Sequence, residues 1–158
     1  MMYILAPIKF ILVLGLILLY FFVAFISQFF IWDPWELRRF RTLMIQWGSQ
    51  AAVKVMAIHV NFPRGEALSV DQPHLIVSNH LSYLDILVIA SKLPTAFVTS
   101  REIEKTPFLG PLCRIGGCLF VERRSREFLN QEIGEITDCL KNNLKVITYV
   151  YEWKKKKD

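Results

Sequence analysis

The sequence predicts an α/β fold, a mixed, mostly parallel sheet flanked by helices and carried on an N-terminal membrane helix or helical hairpin. Three observations predict it. Short apolar runs at residues 75–77, 96–99, 118–121 and 144–150 alternate with segments of helical spacing, the order in which helices serve as crossovers between parallel strands. A histidine stands where the first strand hands over to a helix, at the strand's carboxyl end, where open α/β sheets carry their ligands. Residues 10–32 hold no charge and would run about 34 Å as a helix, enough to cross a bilayer core.

From the N-terminus, residues 1–32 are expected to form a membrane anchor. The run is too long for a cleaved signal peptide and lacks a small-x-small cleavage site, while Trp32 and Trp35 suit a membrane interface. Arg38, Arg39 and Arg41 follow the run and Lys9 precedes it, so the positive-inside rule puts the C-terminal part in the cytoplasm. Gly15 and the Ser27-Gln28 pair leave open a segment that dips into one leaflet and returns. Residues 33–57 read as an amphipathic membrane-surface helix, although the same apolar face would serve a helix packed on a core. Residues 58–62 alternate like a strand, and 61–71, with Pro63, Arg64 and Gly65, read as a surface connection. His59 and His74 have no acidic partner at useful spacing and are expected to be structural or exposed.

Composition excludes several classes. Of the formal charge of +5, Lys154 to Lys157 with Asp158 carry +3, which leaves no basic face to track nucleic acid. Cys113, Cys118 and Cys139 are odd in number and lack Cys-x-x-Cys spacing, so they read as reduced, mostly buried thiols and no metal is expected.

The string from Ser78 to Asp85 organises the rest. His80 lies beside a helix start, whose free N–H groups favour an anionic substrate. Asp85, five residues on, can fold back to the imidazole, fix its tautomer and raise the basicity of its other nitrogen, which makes His80 a candidate general base for a hydroxyl. Ser82 is better placed to cap the following helix than to act as a nucleophile, and no Gly-x-Ser-x-Gly is present. Farther on, a helix beginning near Glu102 should end at Pro107. Gly116 and Gly117 then turn into a four-residue apolar strand that finishes in Glu122 and Arg123, a forked cation suited to phosphate. Alone, Arg123 would pass for part of a solvated run with Arg124 and Arg126. A helix over 125–142 and a strand over 144–150 follow.

Asn79-His80-x-Ser82-x-x-Asp85 resembles the first signature of the glycerolipid acyltransferases, the family of 1-acylglycerol-3-phosphate acyltransferase, and Gly117-x-x-Phe120-Val121-Glu122-Arg123 resembles the second. The resemblance covers residues 75–140 and implies acyl transfer. His80 would deprotonate the hydroxyl of a glycerol phosphate or lysophosphatidate, Asp85 would orient it, and the alkoxide would attack the thioester of an acyl-CoA or acyl carrier protein. Arg123 would hold the acceptor phosphate, with Gly117, Phe120 and Glu122 completing the substrate-binding motif. Asn79 would shape the turn, and Arg101 or Lys105 would add positive charge near the donor. Membrane lipid and the acyl donor are the implied partners, with no cofactor beyond that co-substrate. Residues 144–150 lead into a lysine-rich tail, 151–158, instead of the third signature, so residues 58–150 are expected to be a partial acyltransferase domain of a truncated or frameshifted chain. The competing expectation is a catalytically silent, membrane-anchored fragment. A soluble hydrolase would need a nucleophile that the sequence does not show.

Overall fold

The computed structural model describes residues 2–61, 72–79, 82–122 and 128–150. Two long helices, α1 (Met2–Ser27) and α2 (Pro34–Met56), precede a run of strands and helices: β1 (Leu75–Asn79), α3 (Tyr83–Lys92), β2 (Thr95–Ser100), α4 (Arg101–Glu104), α5 (Leu109–Ile115), β3 (Leu119–Val121), α6 (Leu129–Lys141) and β4 (Lys145–Val150). The strands lie in the order β1-β4-β2-β3, and every described pairing is parallel. The predicted α/β class therefore holds, with no antiparallel pair among the described strands.

Topology decides which helix covers which face. The crossovers from β1 to β2 and from β2 to β3 step one way across the sheet, and the crossover from β3 to β4 steps back. Right-handed crossovers that step in opposite directions land on opposite faces. Accordingly Phe97 and Ile147 pack with Ile86, Ile89 and Ala90 of α3, while their neighbours Val98 and Val146 pack with Ile136, Cys139 and Leu140 of α6. Central β4 and β2 are buried on both faces, which explains their continuous apolar runs. Edge strand β1 alternates instead, with Leu75 and Val77 exposed on one side.

The alternation at 58–62 does not make a strand in its described part. Ala57 ends α2 in the left-handed conformation (φ 59°), the Ile58 N–H returns to the Val53 carbonyl at 3.0 Å, and residues 58–61 continue without regular structure. Ile58 and Val60 border a cavity with Val53 of α2, so their apolar spacing answers to a helix rather than to a neighbouring strand. Two further differences lie in the catalytic half. Strand β3 has three residues, because Cys118 is used in the turn before it, and α5 forms across Gly110 and Pro111, a stretch that the sequence left unassigned. Pro111 stands in the first turn of α5, where a missing N–H breaks no helical bond.

Helix α1 ends at Ser27, short of Trp32, and its Ala6–Ser27 span is long and apolar enough to cross a membrane, with only 11 % of its most apolar window buried. Helix α2 starts on an Asp33 cap, whose carboxylate accepts from the Trp35 and Glu36 N–H groups at 2.9 and 2.8 Å. Helix α2 packs against α1, α3 and β2. Gln46 and Gln50 donate to the Lys92 and Ser91 carbonyls at the end of α3, groups that helix geometry leaves without partners. Arg38 and Arg39 reach the other way, to Cys139 Sγ at 3.0 Å and the Asn142 carbonyl at 3.0 Å, and so tie α2 to the end of α6.

Candidate active site

Parallel strands end together. Asn79 closes β1, Ser100 closes β2 immediately before Arg101, Val121 closes β3 immediately before Glu122, and Val150 closes β4, all at one edge of the sheet. His80 and Leu81 lie outside the described residues, between Asn79 and Ser82, as does Arg123, next to Glu122.

The helix that follows His80 is started by its own residues. Ser82 Oγ accepts the Leu84 N–H at 2.9 Å, and Asp85 Oδ2 accepts the Ser82 N–H at 2.8 Å, a reciprocal capping box. Ser82 thus caps, as its position in the sequence indicated. Asp85 carries a duty that the sequence reading missed: half-buried, it anchors backbone two residues beyond His80, and two residues span at most about 7 Å. The Ser-x-x-Asp spacing is itself the signal that could have revealed it.

On the other side of the site, β2 and β3 run in register, Ser100 opposite Val121, which brings Arg101 and Glu122 to the same edge. The Arg101 guanidinium lies 5.0 Å above the Phe128 ring, and its Nε is shielded from solvent with no hydrogen-bond partner among the described residues. The Glu122 N–H donates to a carboxylate oxygen of Glu132 in α6. Lys105 follows α4 and is exposed. Phe120, between Leu119 and Val121 that pack toward α6, faces the opposite side of the sheet. Gly117 is not brought to this edge. It precedes the amino end of β3, in the left-handed conformation (φ 73°), where it closes α5: the Gly117 N–H returns to the Arg114 carbonyl and the Cys118 N–H to the Cys113 carbonyl, at 3.1 and 3.0 Å. A Cβ there would stand 3.2 Å from Arg38 Cγ.

This turn sets Cys113 and Cys118 side by side, and their thiols share a hydrogen bond. That bond draws Cys113 below the usual thiol range, while the same bond and burial push Cys118 well above it. Burial also raises Cys139. All three are free thiols, and no cluster of metal-binding side chains occurs among the described residues.

A cavity of about 830 Å³ lies between the helical pair and the sheet. Its lining includes Ser82 and Leu84 at the start of α3 and Ser100 at the end of β2, and it extends to Leu16 and Ile17 of α1 and Met44 of α2. Such a volume and an apolar lining with few polar groups suit a ligand with a long hydrocarbon part. No single segment of the sequence announces the cavity, because its walls come from α1, α2, α3, β2 and α5 together.

Known proteins match this arrangement. The chain is 40 % identical over 65 residues to a lysophospholipid acyltransferase of Arabidopsis thaliana, covering 40 % of this chain and 16 % of the relative. It is 36 % identical over 52 residues to a 1-acyl-sn-glycerol-3-phosphate acyltransferase of Neisseria gonorrhoeae (33 % and 20 %), and 32 % identical over 65 residues to a lyso-ornithine lipid O-acyltransferase of Rhizobium meliloti (41 % and 22 %). The matched stretch thus spans under a quarter of the length of each of these relatives. The crystal structure of the 1-acyl-sn-glycerophosphate acyltransferase from Thermotoga maritima shares the fold, with a TM-score of 0.58 at 23 % identity over 89 % of this chain and 61 % of that one. The acyltransferase family model matches residues 59–151, more than half of the sequence and all four strands of the sheet, and the chain belongs to that family.

Proposed function

We propose that the chain transfers a fatty acyl group from acyl-CoA or acyl carrier protein to the hydroxyl of a lysophosphatidate or glycerol phosphate. The observation that carries this reading is the apolar cavity, whose lining includes Ser82 and Leu84, the two residues capped beside Asp85. It would take the hydrocarbon part of a substrate and leave the reacting carbonyl near the carboxyl edge of the sheet.

In this reading the His80 imidazole removes the acceptor's hydroxyl proton while Asp85 holds the ring and balances the imidazolium charge. The alkoxide adds to the thioester carbonyl, the tetrahedral adduct collapses with loss of the thiolate, and the imidazolium returns its proton to that sulfur. A base of this kind contributes about 10²–10⁴-fold in rate. Arg123 holds the acceptor phosphate, Arg101 adds positive charge near the acyl donor, and no acyl-enzyme intermediate is needed. The exposed apolar surface of α1 fits a bilayer, with the catalytic part on the cytoplasmic side.

The full chain, purified in detergent and given labelled acyl-CoA or acyl carrier protein, is expected to acylate lysophosphatidate in preference to lyso-ornithine lipid. Absence of product from every donor and acceptor pair overturns the assignment. Preference for the ornithine lipid, the substrate class named for the Rhizobium relative, would instead move the acceptor away from phosphate.

A further inference from the structure

The turn that closes α5 places two thiols on the cavity wall. Gly117, at φ 73°, sends its N–H back to the Arg114 carbonyl at 3.1 Å, and the Cys118 N–H returns to the Cys113 carbonyl at 3.0 Å. This pair of bonds is a Schellman motif, which brings the side chain after the left-handed residue against one from the last helical turn. That contact is ordinarily apolar. Here both partners are cysteines, and their thiols share a hydrogen bond, so the sulfurs are neighbours by construction of the backbone. Both cysteines line the apolar cavity and neither is fully buried. Cys139, by contrast, is buried on the other face of the sheet, with Val98 and Leu119, and is not among the cavity's lining residues.

Within the pair the roles are unequal: the shared hydrogen bond draws Cys113 toward its thiolate, while Cys118 keeps its proton. A nucleophilic sulfur with a protonated one beside it suits peroxide chemistry, in which one thiol is oxidised and its neighbour resolves the product. The wall around them selects the peroxide. An oxidant that reaches these thiols through an apolar cavity carries its hydroperoxy group on a hydrocarbon chain. We propose that Cys113 and Cys118 form a redox-active dithiol that reduces a fatty hydroperoxide held in the cavity to the corresponding alcohol. The Cys113 thiolate attacks the terminal oxygen of the hydroperoxide, the O–O bond breaks, and the departing alkoxide takes up, from solvent, the proton that Cys113 had released. Cys113 is then a sulfenic acid. The Cys118 sulfur displaces its hydroxyl, which leaves as water with the Cys118 proton, and the S–S bond forms. The dithiol thus gives up two electrons, and one hydroperoxide becomes one alcohol and one water. That the peroxide is fatty rests on the hydrocarbon-binding reading of the cavity given above; the pairing of the thiols does not.

The test mixes the reduced full chain, in neutral detergent micelles, with linoleate hydroperoxide or with hydrogen peroxide at equal concentration. Disulfides are then located by peptide mass after the remaining thiols are blocked. Linoleate hydroperoxide is expected to give the Cys113–Cys118 disulfide about tenfold faster than hydrogen peroxide does, with one alcohol formed per disulfide and Cys139 still reduced. Excess oleate is expected to slow the lipid reaction by occupying the cavity. Cys118→Ala is expected to react more slowly and to stop at a sulfenic acid on Cys113, which dimedone traps; Cys113→Ala is expected to leave Cys118 reduced. The wild-type chain answers the question even where a variant does not fold. The inference is overturned if Cys139 is oxidised as fast as the pair, if hydrogen peroxide acts as fast as the lipid, or if Cys113 ends in a disulfide between two chains. A chain that forms the disulfide on linoleate hydroperoxide but transfers no acyl group keeps this site and loses only the enzymatic reading.

Discussion

Asp85 and Glu132 each commit a carboxylate oxygen to a backbone N–H, of Ser82 and of Glu122, and in both cases the amide lies close in sequence to a proposed site residue, His80 or Arg123. Only one of the two could be read in advance. The Asp85 partner is three residues away, inside a recognisable spacing, whereas Glu132 acts across the fold on a strand end ten residues earlier. The glycines divide in the same way. Gly116 and Gly117 signal a turn to any reader, but it is the structure that shows Gly117 closing α5. Gly110 is the stricter of the positions, because a Cβ there would run into the Glu104 carbonyl oxygen, backbone that cannot swing aside. Gly110→Ala is therefore expected to destabilise by about 3 kcal/mol through overpacking, and Gly117→Ala by about 1–2 kcal/mol through its left-handed backbone. Gly48→Ala, in the open middle of α2, is expected to gain about 0.5–1 kcal/mol. Thermal unfolding of the three variants in one detergent checks the order, and Gly110→Ala as stable as wild type would contradict the packing of α5 on α4.

Among the elements, α2 and α5 were the least legible. The amphipathic pattern of α2 is compatible with lipid or with a core, and only the structure shows its bonds to both α3 and α6. Helix α5 is hidden by Gly110 and Pro111, residues that usually punctuate loops. Its C-terminal turn has a chemical consequence at the cysteines. Cys113, drawn below the ordinary thiol range by the hydrogen bond from Cys118, reaches its thiolate at lower pH, while Cys118 and Cys139 stay protonated. Iodoacetamide labelling of the folded chain near neutral pH, mapped by peptide mass, is expected to mark Cys113 first. Replacing Cys118 with Ala is expected to slow that labelling, because it removes the donor that favours the Cys113 thiolate. Labelling of Cys139 ahead of Cys113 would contradict the packing of α6 against the sheet.

At the scale of the whole molecule, the alternation of apolar strands and helices gave away the α/β class, and the strand end before His80 points to the edge proposed for the site. The strand order was not available, because nothing local tells β4 to insert between β1 and β2. Nor was the cavity, which exists only where α1 and α2 meet α3 and the sheet. That junction couples the two halves of the chain: the helix that suits a bilayer also lines the space proposed for the acyl chain. The proposed chemistry depends on an imidazole and a carboxylate acting as one unit, and a double-mutant cycle on acyl transfer to lysophosphatidate measures this directly. His80→Ala and Asp85→Ala are each expected to lower kcat/KM by about 10³-fold, and the double variant to be little slower than His80→Ala alone. Losses that multiply in the double variant, or an Asp85→Ala chain as fast as wild type, would contradict the account.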